Sequence, residues 1–142
     1  MSQTTSAELG MWLVVPQQTA VPLTASLSYS KADPYAVRFN FNVGLNETVE
    51  WIFARDLLIT GVATRTGLGD VQVWPSNSSE DGTSGSFLHI GLSSPFGQAQ
   101  FEMALADIVA FLGKTYAIVA PGEEDTHINM DAAIAELLRQ RG

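Results

Sequence analysis

An uninterrupted period of two runs through residues 36–43, AVRFNFNV. Its apolar side chains all fall on one side of the chain: Val37, Phe39, Phe41 and Val43. Successive side chains of a β-strand point to opposite faces, so this stretch predicts a strand with one buried and one wetter face. Residues 44–46 supply a hairpin loop, and residues 49–53 continue the alternation beyond it. The sequence therefore predicts an antiparallel hairpin here.

The same alternation predicts further strands on both sides of this hairpin. The further strands span residues 9–15, 23–29, 69–74, 86–92 and 98–103. Together with the two strands of the hairpin, the sequence predicts about seven strands. Asp33-Pro34 predicts a turn, and Pro75 is expected to end the fifth strand. The small and polar residues 75–85 predict a mobile hairpin tip.

Helical patterns interrupt and then follow the strands. Alternation stops at residues 54–60, where RDLL at 55–58 and the following Gly61 predict a short helical turn closed by a C-terminal glycine. Apolar residues then recur with helical spacing in two C-terminal stretches, residues 105–116 and 130–138. The predicted fold class is α+β, with antiparallel strands and two C-terminal helices.

Composition limits the classes of function. The 142 residues suit one domain, and a net charge of −8 repels polyanions such as nucleic acid. Cysteine is absent, which excludes disulfides, thiolate metal sites and a cysteine nucleophile. No apolar run approaches the roughly 18 residues of a membrane span, and the N-terminus lacks the pattern of a secretory signal. We therefore expect the protein to remain in the cytoplasm.

Candidate catalytic and metal-binding residues are few. A hydrolase would use Ser84 or Ser93 with His89, but His89 lies in the middle of a predicted strand and is expected to be structural. Residues 67–70 (GLGD) lead into a strand and predict a turn, whereas a phosphate-binding loop would open a helix. Four residues could collect a divalent cation, but their spacing favours a solvated acidic connector: Glu123, Glu124, Asp125 and His127. We predict no catalytic residue, cofactor or metal.

Large apolar residues also fall on the face that the pattern otherwise leaves to polar groups. Trp12, Ile52 and Trp74 occupy such positions. Only 15% of the residues are charged, and interface cores are depleted in Lys, Glu and Asp. The pattern favours a homo-oligomer over a monomer with a self-contained sandwich.

Four segments together resemble the SsgA-like family of sporulation and cell-division proteins from spore-forming actinobacteria. These are residues 32–37 (ADPYAV), 47–58 (ETVEWIFARDLL), 69–76 (GDVQVWPS) and 92–97 (LSSPFG). The resemblance runs from about residue 8 to residue 138, and it implies a single SsgA-like domain over residues 1–142. It also implies a whirly-like fold with two antiparallel sheets and assembly into a trimer.

The resemblance further implies a function without catalysis. A family member is expected to act in the cytoplasm at division septa, where it marks septum sites, recruits or supports the tubulin-like protein FtsZ during sporulation, and associates with SsgA-like paralogues. We select Arg55 and Asp56, the charges of the 47–58 block, and Trp74 as protein contacts. The alternative is that these charges form an internal ion pair and that Trp74 lies within the oligomer interface. Single-stranded nucleic-acid binding, suggested by whirly folds, is the alternative function.

Overall fold

A single antiparallel sheet forms most of the protein. The computed structural model describes residues 3–14, 20–43, 47–79, 82–95 and 97–124. In chain order its elements are β1 (Thr4–Val14), β2 (Val21–Ser30), β3 (Asp33–Asn42), β4 (Thr48–Ala54), α1 (Arg55–Gly61), β5 (Thr66–Leu68), β6 (Val71–Ser78), β7 (Ser84–Ser94), β8 (Gly97–Ala104) and α2 (Leu105–Ile118). The strand-rich antiparallel α+β order is as predicted.

The prediction of two sheets with about seven strands is wrong in its detail. Within the described ranges, eight strands form one sheet in the order β4-β3-β2-β1-β8-β7-β6-β5. The first four strands and the last four each form a meander, and β1 pairs with β8 from Met11↔Met103 to Val14↔Gln100. This pairing joins the two halves, and it links positions too distant in sequence for a local pattern to reveal. The additional strand, β5, is only three residues long, which is too short for alternation to be read.

The sheet is strongly curled. Phe41 on β3 and Phe101 on β8 are separated by two strands, yet their rings stack with centroids 4.2 Å apart. In a flat sheet three strand spacings would separate them by about 14 Å. The concave face carries the buried apolar residues of the alternating strands and forms the core, including Leu27, Phe39 and Ile90, each fully buried.

Two helices cover the concave face. α1 follows one edge strand and precedes the other, and it contacts β3 and β4 as well as β5 and β6. α2 packs on β1, β7 and β8 through Ile108, Phe111 and Leu112. Both helices are as predicted. The second predicted C-terminal helix, at residues 130–138, lies outside the described residues, as does the predicted hairpin loop at residues 44–46.

Prolines occupy positions that differ from the prediction. Asp33 and Pro34 begin β3, and the turn lies at Lys31 and Ala32. Pro75 does not end its strand but lies within β6, opposite Leu88 of β7. β5 pairs with β6 only as far as Val73, so the missing N–H of Pro75 falls at a free edge of the strand. The predicted turn at residues 67–70 is confirmed, with Gly69 at φ 62° in the loop between β5 and β6.

Gly61 ends α1 for a reason other than the predicted one. Its φ does not lie in the left-handed region, and Val62 forms the helical C-cap. A β-carbon at residue 61 would instead overlap the side chain of Val73 on β6. The glycine therefore allows α1 to approach the sheet closely between its two edges.

We predict that Gly61→Ala destabilises the protein by about 1–3 kcal/mol, because the added methyl group overpacks the contact with Val73. Gly113 provides the matched control: it lies within α2, and a β-carbon there would have nothing within 4 Å. Gly113→Ala should leave stability unchanged or raise it by about 0.5–1 kcal/mol. Urea denaturation measures both, and equal effects of the two variants would contradict the packing role of Gly61.

Candidate protein-interaction surface

The side chain of Arg55 is fully buried where β4 meets α1. Its Nη1 donates hydrogen bonds to the Val119 carbonyl at 2.7 Å and to the carbonyl and hydroxyl oxygens of Thr115 at 3.3 Å. Its Nη2 donates to Oε1 of Glu124 at 2.9 Å. The last carbonyls of a helix have no partner within the helix, so Arg55 caps the C-terminal end of α2 with a charged donor.

Two tyrosine rings enclose the same guanidinium. Its central carbon lies 4.9 Å from the ring centroid of Tyr29 and 5.7 Å from that of Tyr116. The pKa of each phenol is raised, chiefly by burial. Arg55 thus joins β2, the start of α1 and the end of α2 in one contact. Asp56, the next residue, is exposed in the first turn of α1, where its charge complements the helix dipole.

Glu124 is ionised as the partner of Arg55. Its side chain is 7% exposed, and its pKa lies below the usual range because Arg55 donates a hydrogen bond to the carboxylate. A buried guanidinium without a counter-charge would be costly, so the two groups depend on each other. The predicted acidic connector therefore contains one residue that is a buried ion-pair partner.

A row of side chains crosses the convex face of the sheet. Neighbouring strands place its members opposite one another in the order Trp12, Glu102, His89 and Trp74. Trp74 stacks on the imidazole of His89 with centroids 5.3 Å apart and an interplanar angle of 5°. The Arg65 guanidinium carbon lies 4.4 Å from the centroid of the Trp74 ring. His89 and Glu102 are 2% and 4% exposed, so the row has a buried polar centre.

An apolar opening lies at the edge of the concave face. Val43, Val49 and Trp51 line it and remain about two-fifths exposed. The stacked rings of Phe41 and Phe101 lie deeper in the same cavity, which has a volume of about 350 Å³. We call this opening the apolar mouth. It borders β4, an edge strand of the described sheet, and an exposed apolar surface of this kind is typical of a contact with another polypeptide.

Comparison with known proteins identifies the family of this chain. Residues 23–124 match the family model of the Streptomyces sporulation and cell division protein SsgA. The chain is 48% identical over 133 residues to the sporulation-specific cell division protein SsgB of Thermobifida fusca, covering 94% of each chain. It is 44% identical over 140 residues to SsgB of Streptomyces coelicolor, covering 99% of each. The chain belongs to the SsgA family.

Solved structures agree with this assignment. The crystal structure of an SsgA-like sporulation-specific cell division protein from Thermobifida fusca matches with a TM-score of 0.85 and 47% identity, over 95% of this chain and 96% of that one. A structure described with SsgB mutations that correlate to longitudinal cell division in Streptomyces coelicolor matches with a TM-score of 0.82 and 46% identity, over 90% and 98%. The chain is an SsgB-like member of the family.

The three residues selected from the sequence of this family member lie in different surroundings. Arg55 is enclosed within the chain, and its guanidinium forms an internal ion pair, though with Glu124 and not with Asp56. Asp56 is exposed, and Trp74 is half-buried beneath Arg65. The structure does not bring them together at one site. Their role as contacts with a partner stays a prediction.

The described residues do not bring Ser84 or Ser93 together with His89, and they do not group metal ligands. Ser84 and Ser93 lie five and four positions from His89 along the extended strand β7, roughly 17 and 13 Å away, too far for a nucleophile and its base. No group of three or more potential metal ligands is present in the described ranges; Asp125 and His127 of the acidic stretch lie outside them. Within the same ranges, no helix is both long and apolar enough for a transmembrane span.

Two features of the surface were missed by sequence reasoning. The row through His89 needs the pairing of β1 with β8 and of β6 with β7, although alternation does place His89 and Glu102 on the face opposite the core. The apolar mouth needs the curl of the sheet, which no local pattern encodes. Both are products of long-range pairing.

We predict that Glu124→Gln lowers stability at pH 7 by about 1–3 kcal/mol, because a charged hydrogen bond within a buried pair is lost. A carboxylate whose pKa is depressed by folding stabilises above its unfolded pKa, about 4.3, and that contribution is lost as pH falls through the folded pKa. The difference between the natural protein and the variant should therefore shrink towards pH 3.

Glu50 provides the control for this measurement. It pairs with Arg38 at 3.3 Å, but both side chains are nearly half exposed, so Glu50→Gln should change stability by less than about 1 kcal/mol. Guanidinium denaturation from pH 7 to pH 3 compares the two variants. A Glu124→Gln effect that is constant across this range would contradict the ion pair.

Proposed function

We propose that this SsgA-family member acts without catalysis in sporulation-specific cell division, marking septum sites and recruiting or supporting FtsZ. In this proposal the chain forms one SsgA-like domain over residues 1–142 and acts in the cytoplasm at division septa, together with SsgA-like paralogues. The observation that carries the proposal is the match over nearly the whole chain to proteins named sporulation-specific cell division protein SsgB.

The surface of the chain supports recruitment of other polypeptides. The apolar mouth exposes Val43, Val49 and Trp51 beside the edge strand β4. On the convex face Trp12 and Ile52 are 47% and 51% exposed. Apolar groups on both faces of a curled sheet suit self-association, and we propose a homotrimer with a whirly-like architecture in which part of this surface is covered by other copies.

Single-stranded nucleic-acid binding is the less favoured alternative. Such proteins combine a positively charged groove with stacking aromatic side chains. This chain carries a net charge of −8, and Trp74 stacks on His89 and carries Arg65 over its ring. A gel shift with single-stranded DNA or RNA at low salt tests the alternative directly.

The proposal predicts that Val49→Ser reduces co-sedimentation with FtsZ polymers by several-fold. Val49 is 43% exposed in the apolar mouth, so its loss removes apolar contact area from the surface while leaving the core intact. Ile52→Ser is the matched control, because Ile52 is a similarly exposed apolar residue on the opposite face of the same strand. Its co-sedimentation should stay close to that of the natural protein.

Light scattering on each variant separates recruitment from assembly. The natural protein should give about three times the 15.3 kDa of one chain, and Val49→Ser should keep that mass while losing FtsZ. Absence of co-sedimentation by the natural protein would overturn the recruitment proposal. A mass of 15.3 kDa at micromolar concentration would overturn the trimer.

A further inference from the structure

A second cavity lies on the convex face, beside the row of side chains that runs from Trp12 to Trp74. It has a volume of about 350 Å³, within the lower range of ligand sites, and is separate from the apolar mouth in most of its lining. Arg65 and Trp74 form one side of it, Ser93 and Gln98 lie along the other, and Gln72 and Gln100 flank it. The polar and aromatic part of the lining is thus one cation, one aromatic ring, three amides and a hydroxyl, and Val14, Leu92 and Ala99 add apolar surface.

Glycine creates the depth of this cavity. Gly91 of β7 lies in its lining, between Gln72 of β6 and Gln100 of β8, which pair with it in register. A β-carbon at residue 91 would lie 3.2 and 3.3 Å from two ring carbons of Trp74. The missing side chain therefore lets the indole lean over the strand and leaves a hollow where a sheet face would ordinarily be filled.

Arg65 is oriented by the ring beneath it. The guanidinium carbon lies 4.4 Å from the centroid of the Trp74 ring, and the planar guanidinium carries five N–H donors of the kind that bind a carboxylate with two parallel hydrogen bonds. Throughout the described part of the chain, no carboxylate lies within ion-pair distance of Arg65. In contrast, Arg38 and Arg55 both have acidic partners. Among the residues that the structure describes, Arg65 is thus a cation without a carboxylate partner, on a protein of net charge −8.

The amides indicate what else a ligand must offer. Glutamine side chains carry both a donor and an acceptor, which match the N–H and C=O groups of an extended peptide. A polynucleotide would bring many phosphates to a surface with one cation in this cavity and a strongly negative total charge. The chemistry therefore favours a short peptide segment bearing one or two carboxylates.

We propose that the cavity between Arg65, Trp74 and Gln98 is a recognition site for an extended acidic segment of a partner protein. A partner carboxylate accepts two hydrogen bonds from the Arg65 guanidinium, its backbone lies across Gly91, and Gln72 and Gln98 pair with its peptide groups, whereas Gln100 is already bonded to Nδ1 of His89 at 3.0 Å. This inference rests on the proposed recruitment function and specifies the chemistry of one recruiting surface. It also gives Trp74 a positioning role, since its ring holds Arg65 in place.

A labelled peptide tests the proposal on the full chain. The probe is a fluorescein-labelled hexapeptide with two Asp among Val residues and an amidated C-terminus, and the comparison peptide has Asn in place of both Asp residues. Fluorescence anisotropy at low salt should give binding of the acidic peptide that is at least about tenfold tighter than that of the amide peptide, because charged hydrogen bonds are the stronger ones. A single-stranded oligonucleotide of the same label forms the third arm.

Two pairs of variants locate the site. Arg65→Gln should weaken acidic-peptide binding by about tenfold or more, whereas Lys114→Gln, which removes the same charge from an exposed position on α2, should not. Gly91→Ala should weaken binding by several-fold by crowding the indole, whereas Gly10→Ala, with nothing within 4 Å of the added carbon, should have no effect. Thermal unfolding of each variant establishes that it is folded.

The outcomes are distinct. Equal affinity for the acidic and amide peptides, no binding at millimolar peptide, or equal losses in Arg65→Gln and Lys114→Gln would overturn the acidic-segment site. Oligonucleotide binding that Arg65→Gln abolishes would overturn it in favour of a nucleic-acid site. Absence of acidic-peptide binding by the natural protein, together with FtsZ co-sedimentation that persists in Arg65→Gln, would remove this inference and leave the recruitment proposal standing.

Discussion

The buried guanidinium of Arg55 joins parts of the chain that lie 60 to 69 positions apart in sequence. It donates to the carbonyls of Thr115 and Val119 at the end of α2, forms an ion pair with Glu124 and packs between two tyrosine rings. An arginine at this depth is stable only because several donors find acceptors and a carboxylate lies beside them. The position of α1, which lies between the two edges of the sheet, depends on this contact, and so does the end of α2.

The buried contacts that stabilise the fold are distinct from the exposed surfaces that we propose for recognition. The charges and aromatic rings of the interior hold the helices to the sheet, whereas Trp12, Val49 and Trp51 leave apolar surface exposed. Trp51, Val49 and Ile52 all lie on one edge strand, yet they point to two different faces. A protein built in this way can offer one surface to copies of itself and another to a different partner.

Local sequence patterns predicted most strands because alternation is a property of consecutive residues. Residues 36–43 and 98–103 show this, since their period of two needs no knowledge of a neighbour. Distant pairing decides the rest: the two sheets that the family resemblance implied are one sheet because β1 pairs with β8, and Pro75, which the local pattern placed at a strand end, remains within a strand because β5 is short. Sequence marks the charge of Arg55 but not its depth. Its partner Glu124 could be identified only in three dimensions.

Hydrogen exchange of the natural protein, measured alone and with FtsZ polymers, tests the central claim. The claim is that a partner binds the exposed surface of the sheet, while the contacts of Arg55 hold the helices in place. The account predicts slower exchange in β4 and the neighbouring part of β3 on addition of FtsZ. Amides around Arg55 in α1 and at the end of α2 should already exchange slowly and should not change. Protection confined to α1 and α2, with none at β4, would contradict the account.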